Sequence, residues 1–267
     1  MSSTAIRIFI AMFLLAPSLH AAAQDEAGPL TIDDIMALKL IRDPQISPDG
    51  AWVAYTVSSR DMEEDKSRTR IWMVPAAGGE PIPMTAEEES ASRPRWSPDN
   101  KYLSFLSSRG EKAKTQLWTL NRLGGEAVQV TKVKQGVGGY DWSPDGSRLL
   151  LVLKDPKPAE LTEDEKDDEK PLPNVIDRIQ FKVDNVGYLD RRRSHIYLYT
   201  PGDESPVQVT SGDFDDEDPV WSPDGTAIAF VSDRSAEPDL DYGSDVWTVD
   251  VSGEDFTMNR VTSNPGR

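Results

Sequence analysis

Short apolar runs alternate with turn residues along most of this chain, and the runs recur in a fixed order. Each cycle begins with a Ser-Pro-Asp-Gly turn, replaced once by Ser-Pro-Asp-Asn, and two runs rich in β-branched and aromatic residues follow it. These turns occupy residues 47–50, 97–100, 143–146 and 222–225. Short runs of this composition, bounded by turn residues, are typical of β-strands. The pattern therefore predicts a chain built almost entirely from short strands.

A third apolar run closes each cycle and ends on a threonine. An aromatic residue of the preceding run lies 13 residues before that threonine in three cycles and 15 residues before it in the last. The pairs are Trp72 and Thr85, Trp118 and Thr131, Tyr197 and Thr210, and Trp247 and Thr262. With the residues ahead of each Ser-Pro-Asp counted as a strand, every cycle holds four strands, which is one propeller blade. The sequence predicts an all-β β-propeller with four four-stranded blades.

The prolines of the turns set the blade boundaries and locate one insertion. Pro48, Pro98, Pro144 and Pro223 are separated by 50, 46 and 79 residues. The other repeated residues place the extra length of the third interval at residues 154–194. The predicted blades are 44–93, 94–139, 140–218 and 219–267. A linker with a short helix, for which Thr31 is the predicted N-cap, covers residues 24–43.

The N-terminus has the features of a secretory signal peptide. Arg7 precedes an apolar run at residues 8–15, and three alanines at 21–23 form a small-residue cleavage site. The run is too short to cross a bilayer; the alternative is a buried amphipathic helix. We expect a secreted or periplasmic protein, cleaved after Ala23, with no membrane span. The chain has no cysteine, so packing rather than disulfides must stabilise it.

The chain is acidic, with a formal net charge of −17. This balance argues against a nucleic-acid partner, since nucleic-acid binding requires basic surfaces. Acidic residues concentrate at 160–170, between prolines that favour an exposed loop, and at 213–218. The second segment could be a calcium loop, but it lacks the ligand spacing of one. A solvated entry to a strand is the preferred interpretation.

Residues that could carry catalysis are scarce. No Gly-x-Ser-x-Gly nucleophile elbow occurs. The two histidines are His20, in the signal segment, and His195, which is expected at a strand end facing solvent or a neighbouring blade rather than serving as a base. The serines of the four turns repeat in every blade and are interpreted as turn formers. Without cysteine, paired histidines or His-Glu-x-x-His, the sequence predicts no metal and no cofactor.

Six tryptophans recur at equivalent positions of the blades and are predicted to pack between blades. They are Trp72, Trp96, Trp118, Trp142, Trp221 and Trp247.

Several segments, taken in this order, resemble the N-terminal propeller of prolyl oligopeptidase family serine peptidases, on the acylaminoacyl-peptidase and dipeptidyl-peptidase branch. They are residues 43–50, 175–182, 187–190, 192–197 and 210–216. The resemblance covers essentially the whole mature chain. It implies more than four blades, hence an incomplete ring, and a C-terminal α/β-hydrolase domain with a Ser-Asp-His triad. That domain is missing from this sequence, which we therefore interpret as part of a longer enzyme.

The resemblance implies a non-catalytic propeller that admits short peptides to an exported peptidase and excludes folded proteins. The alternatives are a free-standing TolB-like periplasmic propeller that binds protein partners, and a complete four-bladed ring. The insertion supplies the candidate substrate-selecting residues, because insertions in repeat proteins map to loops on one face, which is often the binding face. These candidates are Asp177, Arg178, Arg191, Arg192 and Arg193. The competing interpretation is a solvated loop whose charges pair with one another.

Overall fold

The computed structural model describes residues 29–110, 113–156, 176, 178–184, 186–235, 240 and 243–264. The predicted signal peptide, the acidic run at 160–170 and Asp177 lie outside these residues. The chain divides into two compact units, residues 1–36 and 37–267. In the part of the chain that the structure describes, no helix is long and apolar enough to cross a membrane.

A short helix, α1, spans Ile32–Ala37. Thr31 caps it, because the backbone N–H of Asp34 donates to Thr31 Oγ1 at 3.1 Å. The Asp34 carboxylate in turn accepts the backbone N–H of Thr31 at 2.9 Å. This reciprocal pair is a capping box, which satisfies two N–H groups at the start of the helix. Thr31 is thus the N-cap that the sequence predicts.

Four antiparallel four-stranded sheets make up the second unit, which confirms the predicted all-β propeller architecture. Blade 1 contains β1 (Leu40–Ile46), β2 (Trp52–Asp61), β3 (Lys66–Pro75) and β4 (Ile82–Pro83); blade 2 contains β5 (Ala91–Trp96), β6 (Tyr102–Ser107), β7 (Gln116–Asn121) and β8 (Val128–Gln129). Blade 3 contains β9 (Gly139–Trp142), β10 (Leu149–Lys154), β13 (Ser194–Tyr199) and β14 (Val207–Gln208); blade 4 contains β15 (Asp216–Trp221), β16 (Ala227–Ser232), β17 (Asp245–Asp250) and β18 (Met258–Arg260). A small hairpin, β11 (Lys182–Val183) and β12 (Gly187–Tyr188), lies in the insertion.

The Ser-Pro-Asp turns join the first and second strands of each blade. In the turn of blade 3, the N–H of Gly146 donates to the Ser143 carbonyl at 2.8 Å, which closes a four-residue β-turn. Gly146 has a φ of 73°, and Asn100, which replaces glycine in blade 2, has a φ of 62°. Asparagine tolerates this left-handed conformation better than most residues. The Asn100 side chain also donates to Asp49 in the turn of blade 1, so this exception links two blades.

The regular aromatic-to-threonine spacing has a structural cause. Each threonine hydroxyl accepts a backbone N–H from the third strand of its own blade, from the residue just before the aromatic one. The bonds are Ile71 to Thr85 at 3.1 Å, Leu117 to Thr131 at 2.9 Å, Ile196 to Thr210 at 2.9 Å and Val246 to Thr262 at 2.9 Å. The hydroxyl thus satisfies a backbone donor where the short outer strand ends.

Three apolar clusters join consecutive blades. One packs blade 1 against blade 2 around Phe105, the next joins blades 2 and 3 around Leu151, and the last joins blades 3 and 4 around Phe230. Among the described residues no such cluster joins blade 4 to blade 1. The four sheets therefore form an open arc, in agreement with the predicted incomplete ring.

The tryptophan prediction holds for five of the six side chains and is wrong for Trp72. Trp96, Trp118, Trp142, Trp221 and Trp247 belong to the clusters between blades or pack against them. Trp72 belongs to none of the three clusters and stacks under the Arg70 guanidinium, 5.3 Å from its ring centroid. The reason is its position on the side of blade 1 that faces away from blade 2, where the described residues provide no further sheet.

Candidate functional site

The first strands of blades 2, 3 and 4 line a cleft of about 440 Å³, which we call the inner-strand cleft. The cleft runs along these strands, and Arg95, Asp141 and Val220 in its lining lie only two residues before the Ser-Pro-Asp turns. The connections between second and third strands lie at the end of the first strands away from these turns. The insertion of blade 3 is one of those connections. The residues that line the inner-strand cleft include Arg93, Arg95, Gly138, Gly139, Asp141, Ser194, Asp216, Glu217 and Asp218.

A β-bulge marks the first strand in three of the four blades. The register shifts between Arg42 and Gln45 in β1, between Ser92 and Arg95 in β5, and between Glu217 and Val220 in β15. In each bulge the residue before proline is left-handed: Asp43 has a φ of 50°, Arg93 of 52° and Asp218 of 47°. Such bulges redirect a side chain away from the regular alternation of a strand. The three strands begin at Leu40, Ala91 and Asp216.

Blade 3 departs from this pattern. Its first strand shows no register shift, and Gly139 occupies the position equivalent to Arg93. A Cβ atom placed on Gly139 would lie 3.4 Å from Nη1 of Arg93 and 3.5 Å from Cγ2 of Val152. The Arg93 guanidinium therefore lies directly against the backbone of β9. Glycine at this position leaves room for it.

A buried polar network fixes β5 against β9. The Tyr140 hydroxyl contacts two oxygen atoms of blade 2, the Arg93 carbonyl at 2.8 Å and Ser104 Oγ at 3.0 Å. Ser104 Oγ also accepts the indole N–H of Trp142 at 2.9 Å and donates to the Arg95 carbonyl at 2.9 Å. Burial raises the pKa of the Tyr140 hydroxyl well above its usual range, so it stays protonated. The bulge that carries Arg93 is held in place by this network.

The cleft carries charges of both signs on opposite walls. Arg95 donates to both oxygens of Asp43, at 2.9 and 3.1 Å, and is thereby neutralised. The exposed Arg93 forms no ion pair or side-chain hydrogen bond with any described residue, and the same holds for Glu217 and Asp218 on β15. On β9 between them, burial raises the pKa of Asp141. Among the described residues that line the cleft, Arg93, Glu217 and Asp218 are thus charged groups without a partner. The Asp141 carboxylate accepts only the backbone N–H of Trp142, at 2.9 Å.

The arginines predicted from the insertion lie beside this cleft and are engaged with aspartates. Arg193 pairs with Asp213 at 2.9 Å and with Asp215 at 2.8 Å, and Arg178 also pairs with Asp213. Arg192 pairs with Asp190 at 2.6 Å. We call Arg178, Arg192, Arg193 and their three aspartates the arginine cluster. Arg191 lies in the same segment, and Asp177 lies outside the described residues.

The arginine cluster fastens the insertion to blade 4. Arg193 lies directly before β13 of blade 3, while Asp213 and Asp215 lie directly before β15 of blade 4. Asp215 also accepts the backbone N–H of Ser194 at 2.8 Å. Burial alone would lower the pKa of Arg193, but the hydrogen bonds that Arg193 donates to Asp213 and Asp215 outweigh it and raise that pKa. The charges of the insertion therefore pair across blades as well as with one another.

His195 is buried between blades, which corrects the possibility that it faces solvent. Its side chain is 2% exposed; Nδ1 lies 3.1 Å from Asp216 and Nε2 lies 3.6 Å from Asp155. Asp216 is fully buried and also pairs with Arg234 at 2.7 Å. Burial would raise the pKa of Asp216, but hydrogen bonds from His195, Thr210 and Arg234 lower it. The acidic strand entry is therefore a buried, paired inter-blade contact at Asp216, and only its flanks are solvated.

Sequence reasoning missed the residues of the inner-strand cleft. A usable signal exists in the repeats: the position before each first-strand proline, or its equivalent, is Asp43, Arg93, Gly139 and Asp218 in the four blades. The repeats agree at packing positions but differ in charge here. Packing cannot explain a position that varies between aspartate, arginine and glycine among repeats with the same core.

Comparison with known proteins yields relatives among peptidases, although no protein-family model matches the chain. An uncharacterized peptidase of Bacillus subtilis, YuxL, is 30% identical over 221 residues, which cover 82% of this chain and 34% of the relative. Dipeptidyl-peptidase 5 of Porphyromonas endodontalis is 25% identical over 116 residues, covering 40% of this chain and 17% of that protein. The chain therefore spans about a third or less of the length of these relatives.

Solved structures of peptidases share the fold. Acylaminoacyl peptidase of Pyrococcus horikoshii superposes with a TM-score of 0.63 at 20% identity, covering 86% of this chain and 33% of that one. The β-propeller domain of the Trilobed protease of Pyrococcus furiosus gives a TM-score of 0.51 at 15% identity, covering 85% and 58%. Together with the sequence relatives, these structures confirm the predicted resemblance of this chain to the N-terminal propellers of prolyl oligopeptidase family peptidases.

Proposed function

We propose that this chain is the non-catalytic propeller of a serine peptidase and that it selects short peptides for hydrolysis. The observation that carries the proposal is the inner-strand cleft, which lies on a fold shared with peptidase propellers. Its volume of about 440 Å³ falls within the range typical of small-ligand sites. Such a cleft accommodates a few residues of extended peptide but no folded domain.

The chemistry of the described residues supports a binding role rather than a catalytic one. Acyl transfer by a serine requires a histidine within hydrogen-bond reach of an exposed hydroxyl. Both ring nitrogens of His195 face aspartates, at 3.1 and 3.6 Å. In our proposal the catalytic triad belongs to an α/β-hydrolase domain that acts with this propeller. The reading frame downstream of Arg267 tests that part, with a Gly-x-Ser-x-Gly motif as the expected result.

The arginine cluster has a positioning role in this proposal. Arg178 forms an ion pair with Asp213, and Arg193 forms ion pairs with Asp213 and Asp215. These pairs hold the insertion next to the cleft. Ser194 follows Arg193 and begins β13, and Asp216 follows Asp215 and begins β15. Both residues line the cleft. In this proposal, the predicted selecting residues influence peptide preference only by setting the position of the insertion, so their replacement alters peptide preference indirectly. These residues are Asp177, Arg178, Arg191, Arg192 and Arg193.

A binding experiment on the 267-residue chain tests the proposal. Isothermal titration calorimetry is expected to show saturable binding of peptides of two to about six residues and no binding of a small folded protein of similar composition. A serine-directed fluorophosphonate should label no residue, with an active serine hydrolase as the positive control. Stoichiometric labelling, or the absence of binding by every short peptide, would contradict the proposal.

Export is part of the same proposal. The apolar run at residues 8–15 and the alanines at 21–23 support it. N-terminal sequencing of the protein recovered from a cell envelope or culture medium is the test, with Gln24 as the expected first residue. An intact N-terminus on a cytoplasmic protein would contradict export without touching the peptide-binding proposal.

A further inference from the structure

The unpaired charges of the inner-strand cleft are arranged as a dipole. Arg93 stands on β5 of blade 2, and Glu217 and Asp218 stand on β15 of blade 4. Blade 3 lies between them and contributes Gly138 and Gly139 to the same cleft, two residues without side chains. The cation and the carboxylates therefore face a common space. Its floor consists of these two glycines together with Tyr140 and Asp141 of β9, and with Leu150 and Val152 of β10.

Arg93 has a fixed backbone position and a guanidinium that no described residue pairs with. The left-handed bulge costs conformational energy for a residue with a side chain, and the Tyr140 hydroxyl holds the Arg93 carbonyl at 2.8 Å. The neighbouring Arg95 is satisfied by Asp43, whereas no described residue pairs with the Arg93 guanidinium. Guanidinium groups bind carboxylates through paired N–H donors.

The charges of the opposite wall restrict what can bind. A ligand that carries only negative charge is repelled by Glu217 and Asp218, and one that carries only positive charge is repelled by Arg93. A ligand with a carboxylate at one end and an ammonium group at the other meets an opposite charge at each end. A short peptide with free termini has this charge pattern.

We propose that the inner-strand cleft binds short peptides by their two charged ends, with Arg93 as the residue that holds the carboxylate. The inference rests on the proposed function and deepens it, because it gives a physical reason for selection by length. A peptide too long for the cleft cannot place both termini at the two walls. The carboxylate has two sources, the peptide C-terminus or an acidic side chain, and the test separates them.

The test compares four probes by isothermal titration calorimetry with the 267-residue chain. They are trialanine, its C-terminal amide, its N-acetyl form, and Ala-Glu-Ala-amide, which keeps the N-terminal ammonium group but carries its carboxylate on a side chain. Amidation is expected to weaken binding of trialanine about 10-fold or more, the loss typical of a hydrogen-bonded charge. If Ala-Glu-Ala-amide binds as well as trialanine, and does so through Arg93, then an acidic side chain is the source of the carboxylate.

Two variants connect this loss to the residue. Arg93→Gln is expected to weaken trialanine about 10-fold or more while changing the affinity of the C-terminal amide less than about 2-fold, since contacts that act on one group are not additive. Gly139→Leu keeps the charge but fills the space against the guanidinium, and the same loss is expected. Lys101→Gln, which removes a positive charge in the turn between β5 and β6 outside the cleft lining, is the control and should leave binding unchanged.

The acidic wall is tested separately with the variant Glu217→Gln combined with Asp218→Asn. It is expected to weaken trialanine but not the N-acetyl form, which lacks the ammonium group. Melting curves of all variants establish that they fold. Peptide binding by the wild-type chain that is indifferent to Arg93→Gln, or equal losses for trialanine and its amide, would overturn this inference alone. A wild-type chain that binds no short peptide would overturn the proposed function as well.

Discussion

At the scale of single residues, each Ser-Pro-Asp turn is held together by hydrogen bonds between its serine, its aspartate carboxylate and the backbone. The Ser143 hydroxyl donates to Asp145 at 2.6 Å and accepts the backbone N–H of Arg148 at 2.9 Å. The same pair of bonds recurs in the other three turns. The Ser143 hydroxyl, followed by the Ser147 N–H, lowers the pKa of Asp145 from 3.8 to about 2. The charged carboxylate is therefore the form that holds the turn together.

This turn chemistry predicts a specific dependence of stability on pH. Because the pKa of Asp145 is lower in the folded than in the unfolded chain, its stabilisation is fully present above about pH 4 and is lost as the pH falls through about 2. Asp145→Asn should therefore lower the melting temperature at pH 7, and the gap to wild type should narrow toward pH 2. Differential scanning calorimetry across this range measures both curves.

Asp255→Asn provides the matched control for that experiment. Asp255 is exposed, and the described residues provide it with no hydrogen-bond or ion-pair partner. The substitution removes the same charge without disturbing a turn, so its melting curve should follow wild type. Coincident melting temperatures for Asp145→Asn and wild type at every pH would show that the turn bond contributes nothing to stability.

At the scale of elements, one hydroxyl organises the contact between blades 2 and 3. Ser104, on β6, bonds Tyr140 and Trp142 of β9 and the Arg95 carbonyl of β5. Ser104 is fully buried and Tyr140 is 6% exposed. A buried donor or acceptor that is left unpaired costs more free energy than a hydrogen bond contributes. The bulge of Arg93 depends on this network because its carbonyl is one of the acceptors.

Tyr140→Phe tests the network. It leaves the Arg93 carbonyl without this donor and should lower the free energy of unfolding by about 1–2 kcal/mol, as for other buried hydrogen bonds. Tyr102→Phe is the control, because Tyr102 is 42% exposed and its hydroxyl has no partner among the described residues; a change within about 0.5 kcal/mol is expected there. Urea unfolding at pH 7 measures both, and equal effects would show that the network carries no special stability.

Features that depend on residues close together in the chain could be predicted from the sequence, and features that depend on contacts between distant residues could not. The turns and the threonines repeat with local spacing, so the four blades, their order and the position of the insertion were accessible. The contacts of Tyr140 and Trp142 with Ser104 span 36 and 38 residues, and Ser104 looks like any polar residue of a strand. The bulges and the charged cleft depend on such contacts, and no local pattern reveals that Arg93 is left unpaired while Arg95 is not.

At the scale of the whole propeller unit, the two inner blades differ from the two outer ones. β6 and β10 are buried on both faces, whereas β2 and β16 alternate buried and half-buried residues. On blade 1 the face without a partner carries Val53, Tyr55 and Trp72, and on blade 4 it carries the smaller Ala229, Val231 and Val246. The open face of blade 1 carries large side chains and that of blade 4 carries small ones, so the two faces are complementary in shape. Blades 2 and 3 pack against each other in the same way.

This complementarity predicts association of the chain with itself. Blade 4 of one copy can receive blade 1 of the next, and because the two surfaces differ, the contact is heterologous and does not close after two copies. Sedimentation velocity is expected to show species larger than a dimer that increase with concentration. Trp72→Glu should weaken this association about 10-fold or more, since it removes a large apolar side chain from the contact.

Leu123→Glu is the control that distinguishes this specific contact from nonspecific hydrophobic association. Leu123 is 88% exposed in the turn after β7, away from both open faces. The substitution adds the same negative charge but should leave association unchanged. A monomer at all concentrations, or equal effects of the two substitutions, would contradict the prediction. Association that Trp72→Glu alone abolishes would show that the open faces of the arc are binding surfaces for further blades or another copy. The inner-strand cleft between blades 2 and 4 is not part of either face.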